Sequence, residues 1–123
     1  METIEIDQRL KRTGPRSYQV KMIVKQNNLT EVYEFNFSNS NAIYPLYKSL
    51  IHVVRLFNNV HITLKTQNKV FVGEVNGQAG KNARLFNILN DEKQEKGVSI
   101  DAVFVEKNKL NRGNIGNDNE NVQ

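Results

Sequence analysis

Residues 17–57 read SYQVKMIVKQNNLTEVYEFNFSNSNAIYPLYKSLIHVVRLF, and the spacing of the apolar side chains changes once along this stretch. Apolar and polar side chains alternate over residues 17–25 and again over residues 30–37, which predicts two paired β-strands. Within residues 43–57 the apolar side chains recur every three or four positions, which predicts an amphipathic helix. Paired strands followed by a helix point to a mixed α/β domain.

Further elements are predicted on both sides of this stretch. A strand over residues 3–10 precedes it, and Thr13–Arg16 forms the connecting turn because proline fixes its own φ and glycine tolerates a positive φ. A strand, two helices and a last strand follow, over residues 60–66, 69–75, 81–95 and 98–105. The predicted fold is therefore α/β (α+β mixed), a three-stranded antiparallel meander followed by α-β-α-α-β, with helices packed against a mixed sheet.

The chain has 123 residues, enough for one domain, which we expect to span residues 1–108. Residues 109–123 consist mainly of asparagine, glycine and charged residues, which cannot bury enough apolar area to become ordered. A disordered tail is predicted there.

Composition excludes several classes of protein. There is no cysteine, so disulfide scaffolds and thiolate zinc sites are excluded. No apolar run approaches ~20 residues, and the N-terminus lacks the apolar segment of a signal peptide, so we expect a cytoplasmic protein without a membrane partner. His52 and His61 have no third ligand at metal spacing, and neither a glycine-rich phosphate loop nor a nucleophile triad is present. We predict no cofactor and no metal.

Positive charge is concentrated near the N-terminus of a chain whose net charge is +4. Between Asp7 and Glu31 there is no acidic residue, and the basic residues are Arg9, Lys11, Arg12, Arg16, Lys21 and Lys25. All of them fall on the first predicted hairpin, where such a field attracts phosphate. The alternative is a solvated face that keeps the protein soluble.

Aromatic side chains lie on the second strand of this hairpin and on the strand that follows it. Tyr18, Tyr33, Phe35 and Phe37 share one face, which fits either a base-stacking platform or a core under the first helix. The strict alternation favours the core, and it directs the basic side chains to the opposite, solvent-facing side.

Four stretches have the order and spacing of motifs in one known family. The stretches are Gly14–Tyr18, Asn39–Tyr44, Thr66–Gly77 and Val98–Lys109. In this order, they look like the opening of that family's second strand, the cap of its first helix, the end of its fourth strand with the valine-rich helix, and its last strand with the following loop. Together they make residues 3 to about 112 resemble the ribonuclease H family, especially its retroelement-type and small archaeal or bacterial branches.

The resemblance implies a site in which four carboxylates hold two magnesium ions, and the chain departs from that pattern. Asp7 matches the first aspartate, at the end of the first strand, but Ile43 and Gln67 stand at the next two positions and the last falls near Arg112. Magnesium requires hard anionic oxygens, so a non-catalytic protein is predicted. Glu74 or Glu106 would take the place of a missing carboxylate only if the match between this sequence and the ribonuclease H motifs is shifted along the chain.

Three functions stay open at this point. The first is a nucleic-acid-binding module, RNA more than DNA, that uses the basic hairpin. The second is a small regulator of a mobile element, from a plasmid or phage, that binds another protein through a sheet edge or the tail. Size, basic charge and asparagine content are also similar to PrgU-like plasmid regulators, a likeness that implies action on RNA. The third is a residual nuclease.

Overall fold

The structure, a computed structural model, describes residues 1–78 and 80–106 and contains the predicted elements in the predicted order. The strands are β1 (Glu2–Gly14), β2 (Ser17–Gln26), β3 (Leu29–Phe37), β4 (Val60–Thr66) and β5 (Ser99–Phe104), and the helices are α1 (Ile43–Val54), α2 (Lys69–Val75) and α3 (Ala83–Lys96). The predicted fold class is confirmed. The predicted tail, residues 109–123, lies outside the described residues.

The five strands form one mixed sheet in the order β3-β2-β1-β4-β5. β1, β2 and β3 make the antiparallel meander, whereas β4 runs parallel to both β1 and β5. Parallel neighbours require crossover connections, and α1 and the α2–α3 pair supply them.

One face of the sheet carries the hydrophobic core. Alternation places Ile4, Ile6 and Gln8 of β1 on this face, beside fully buried residues of β2 and β4 such as Met22 and Leu64. All three helices contribute side chains to the same core, so they pack on this one face. We call the opposite side, which carries Glu5, Asp7 and Arg9 on β1, the open face.

Two boundaries differ from the prediction by several residues, and the other differences are smaller. β1 continues to Gly14 because it pairs with β2 up to the Gly14–Ser17 turn, so the expectation that Asp7 ends the first strand is wrong. α1 ends at Val54, three residues before Phe57, because the N–H groups of Leu56 and Phe57 bond to carbonyls only three residues back. This tighter turn closes the helix before β4.

The end of α3 agrees with the prediction. Gly97 follows the helix with φ 66°, the left-handed conformation that glycine adopts without steric cost.

Within residues 1–78 and 80–106, no helix combines the length and the apolar composition needed to cross a bilayer.

Candidate nucleic-acid interface

The β1–β2 hairpin carries all six of the predicted basic residues. In the antiparallel register Arg9 lies opposite Lys21, and Glu5 lies opposite Lys25. Alternation along the strands places four of the six side chains on the open face, namely Arg9, Lys11, Lys21 and Lys25.

The other two basic residues lie at the end of the hairpin. Arg12 is opposite Tyr18, on the helix side of the sheet, and its guanidinium donates from Nε to the Gly14 carbonyl (3.1 Å) and from Nη2 to the Pro15 carbonyl (2.8 Å). Arg16 is exposed in the turn, and its carbonyl accepts the Ser40 N–H at 3.0 Å. The six basic residues therefore share one hairpin but not one face.

Acidic residues from two strands, β1 and β3, neutralise part of the open face. Lys25 Nζ lies 3.7 Å from Asp7 Oδ2, and Lys21 Nζ lies 3.6 Å from Glu34 Oε2 on β3. On the other side of β1, Lys65 pairs with Glu5, and their hydrogen bond lowers the pKa of Glu5 and raises that of Lys65.

Among the described residues, four of the six hairpin cations form no salt bridge: Arg9, which is half-buried on the open face, and three exposed residues at the hairpin end. We call Lys11, Arg12 and Arg16 the hairpin-end cations, and none of them forms a salt bridge within the described part of the chain. All three side chains are exposed. The hairpin end is thus better suited to meet a phosphate backbone than the centre of the open face.

The three positions matched to the ribonuclease H carboxylates do not form a cluster of acids. Asp7 is only 9% exposed, projects from the open face, and has no hydrogen-bond partner at Oδ1 among the residues that the structure describes. Ile43 is the first residue of α1 and packs against the core. Gln67 accepts the Leu10 N–H through Oε1 at 3.2 Å.

A buried glutamine, which the sequence analysis missed, joins β1, α1 and β4. Gln8 Nε2 donates to the Leu46 carbonyl and to Ser49 Oγ, both at 3.1 Å, and Gln8 Oε1 accepts from Thr66 Oγ1 at 2.6 Å. Gln8 is fully buried. The available signal was one polar residue in the otherwise apolar row of alternate β1 positions, Ile4, Ile6 and Leu10.

Solved ribonuclease H structures share this arrangement of strands and helices. LC11-RNase H1, isolated from compost by a metagenomic approach, matches with a TM-score of 0.72 and 13% identity, covering 91% of this chain and 90% of that one. The protein has a ribonuclease H-like fold. The same enzyme in complex with an RNA/DNA hybrid gives a TM-score of 0.70 at 13% identity, over 91% and 90% of the two chains.

A third ribonuclease H structure agrees. The N-terminal RNase H domain of rv2228c from Mycobacterium tuberculosis, solved as a fusion with maltose-binding protein, has a TM-score of 0.70 at 13% identity, over 87% of this chain and 84% of that one. No family model matches the sequence, and no curated protein matches it. The likeness at this identity establishes the ribonuclease H-like fold.

The residues present do not fit the two magnesium ions that the ribonuclease H resemblance implies. Gln8, Gln67 and Thr66 offer neutral oxygens, and each already has a hydrogen-bond partner within the protein. Nowhere in residues 1–78 and 80–106 do three histidine, aspartate or glutamate side chains come together in a metal-binding group. The position near Arg112 lies outside these residues.

Glu74, considered as a substitute carboxylate, is occupied in the core. Its Oε1 accepts from the Tyr47 hydroxyl at 2.6 Å and its Oε2 accepts from Asn82 Nδ2 at 3.0 Å. Burial, reinforced by this carboxylate, raises the pKa of Tyr47. Glu74 therefore links α1 to the start of α3, while Glu106 is exposed beyond β5.

Proposed function

We propose that this protein is a non-catalytic module of ribonuclease H-like fold that binds nucleic acid, RNA in preference to DNA, through the basic β1–β2 hairpin. The observation that carries the proposal is the group of exposed hairpin-end cations, Lys11, Arg12 and Arg16, which form no salt bridge with any other described residue. Such a group binds a phosphate backbone with little sequence preference, because the contacts do not involve the bases.

The fold supports binding to nucleic acid. LC11-RNase H1, which has the same fold, has been solved in complex with an RNA/DNA hybrid. The non-catalytic part of the proposal rests on this chain's own residues. Ile43 and Gln67 stand where the ribonuclease H resemblance implies acidic residues, and Gln8 fills the space between β1, α1 and β4 with a neutral amide.

A matched pair of charge variants tests the binding surface. The first variant neutralises the hairpin-end cations, with Lys11→Gln, Arg12→Gln and Arg16→Gln. The control removes the same charge from the lysines that already have acidic partners, with Lys21→Gln, Lys25→Gln and Lys65→Gln. We expect the first variant to bind an RNA oligonucleotide at least ~10-fold more weakly than wild type. The slope of log affinity against log salt concentration should become smaller by about one unit for each phosphate contact that is lost. Equal affinity in wild type and first variant would refute the proposed surface.

A cleavage assay tests the absence of catalysis separately. A labelled RNA/DNA hybrid is incubated with the wild type in Mg²⁺ and in Mn²⁺, with Asp7→Asn as the comparison. We expect no turnover with either protein, because only one of the four positions matched to the ribonuclease H carboxylates holds an acidic residue. Turnover that depends on Asp7 would show a nuclease instead.

A second candidate function is a regulator of a mobile element that binds a protein through the sheet edge. β3 is an edge strand, and Leu29 (71% exposed) and Val32 (54% exposed) lie on it. Unpaired backbone groups of an edge strand accept an added strand. A partner retained after nuclease treatment and high salt would favour this function over nucleic-acid binding.

A further inference from the structure

A row of aromatic side chains crosses one end of the sheet on the helix side. Tyr18 of β2 lies opposite Phe37 of β3, and the Phe37 ring makes an edge contact with Tyr44 on α1, with ring centroids 6.0 Å apart. We call Tyr18, Phe37 and Tyr44 the aromatic strip. The strip is continuous from β2 to the first turn of α1.

The strip keeps part of its aromatic surface accessible. Tyr44 is 40% exposed, and Tyr18 and Phe37 are half-buried. Phe37 packs against the core, as Phe35 does, so the accessible rings of the strip are those of Tyr44 and Tyr18. The Asn41 side chain accepts the Tyr44 N–H at 2.8 Å, which fixes the backbone that carries the exposed ring.

Cations border the strip at both ends. Arg12 is opposite Tyr18 in the β1–β2 register, and Lys48 Nζ lies 5.9 Å from the centre of the Tyr44 ring. Arg16 is brought near the start of α1 by the bond from Ser40 N–H to its carbonyl. No salt bridge within the described residues involves Arg12, Arg16 or Lys48.

We propose that the aromatic strip binds single-stranded nucleic acid, with bases stacked on Tyr44 and Tyr18 and phosphates held by Arg12, Arg16 and Lys48. This inference rests on the proposed function and specifies its substrate class. Accessible aromatic rings between cations are how proteins hold unpaired strands, because every base presents a π-face and every linkage a phosphate. A duplex hides those faces within its own stack, so the strip selects unpaired strands.

The test compares a normal RNA oligonucleotide of about ten nucleotides with an abasic one of equal length and charge, by fluorescence anisotropy. Tyr44→Ala is the test variant, Tyr44→Phe keeps the ring, and Leu56→Ala removes an exposed apolar side chain near the other end of α1. We expect Tyr44→Ala to bind the normal oligonucleotide about 10-fold more weakly, with the salt slope unchanged, and the other two variants to bind like wild type. For the abasic oligonucleotide, wild type and Tyr44→Ala should have equal affinity.

A spectroscopic measurement reports stacking directly. The chain contains no tryptophan, so Tyr44→Trp introduces a single indole at the strip. We expect its fluorescence to be quenched by the normal oligonucleotide and much less by the abasic one or by an RNA duplex.

The outcomes separate this inference from the proposed function. If the hairpin-end variant weakens binding while Tyr44→Ala, folded by circular dichroism, binds both oligonucleotides like wild type, then stacking is refuted and backbone binding stands. If wild-type affinity is independent of salt and of the hairpin-end cations, the proposed function itself is refuted.

Discussion

The carboxamide of Asn76 pairs with both backbone polar groups of Ala102. Its Nδ2 donates to the Ala102 carbonyl at 2.9 Å, and its Oδ1 accepts the Ala102 N–H at 2.8 Å. Asn76 follows α2, and Ala102 lies in the middle of β5, an edge strand. The side chain thus imitates a neighbouring strand and occupies an edge that would otherwise be available for pairing.

Asn76→Ala should therefore lower stability and open this edge. We expect a loss of about 1–3 kcal/mol in the free energy of unfolding, because the Ala102 backbone groups lose their partners in a mostly buried position. Denaturant unfolding measures the loss, and sedimentation shows any self-association. Asn58→Ala removes an exposed asparagine and should change neither. An Asn76→Ala protein as stable and monomeric as this control would contradict the edge-protection argument.

Gln8→Glu tests the neutral amide that joins β1, α1 and β4. A carboxylate cannot donate to the Leu46 carbonyl, and burial raises the pKa of a glutamate, so the variant should lose stability as pH rises through that raised value. Thermal unfolding from pH 5 to pH 8 measures this dependence, with Gln19→Glu at a half-buried open-face position as control. Magnesium should not restore the lost stability. Rescue by magnesium would instead identify a metal site.

Tyr47→Phe tests the buried hydroxyl between α1 and α2. Its hydrogen bond to Glu74 is made in the core, so we expect a cost of about 1–3 kcal/mol in the free energy of unfolding. The folded-state pKa of Tyr47 lies above its unfolded value, so this contribution is complete below the unfolded pKa of about 10 and decreases as pH rises beyond it. Urea unfolding at pH 7 and pH 11 measures both effects. Tyr18→Phe serves as control, and an equal loss in both variants would argue against a specific role for the Glu74 bond.

The Glu5–Lys65 pair should give a small pH-dependent contribution to the pairing of β1 with β4. We expect Glu5→Gln to cost about 0.5 kcal/mol at pH 7, since the pair is partly exposed and solvent screens it. The pKa of Glu5 is lowered, so the contribution is present above its unfolded value near 4.3 and disappears as pH falls through the folded value. Wild type and Glu5→Gln should therefore converge in stability toward pH 2. A difference that persists there would mean that packing, and not the ion pair, is responsible.

The order and type of the elements could be predicted from the sequence because they depend on local periodicity. Alternation in β2 and β3 and the helical spacing of α1 are visible in short windows, and β4 and α2 have the predicted bounds. The end of α1 could not be predicted in this way. Leu56 and Phe57 continue the apolar spacing, but the chain turns there to enter β4.

The candidate site was less predictable, because its properties depend on residues far apart in the chain. The sequence by itself determined that six cations share one hairpin, that aromatic side chains share one face of the neighbouring strands, and that Ile43 and Gln67 carry no charge. Only the tertiary structure decided which cations stay unpaired, since Glu34 reaches Lys21 from β3 and Asp7 reaches Lys25 across β1 and β2. It also decided that Tyr44 extends the aromatic row onto α1 and that Gln8 is buried between three elements. The physical reason is that periodicity assigns a side chain to a face, whereas its partners on that face are set by strand order and helix packing.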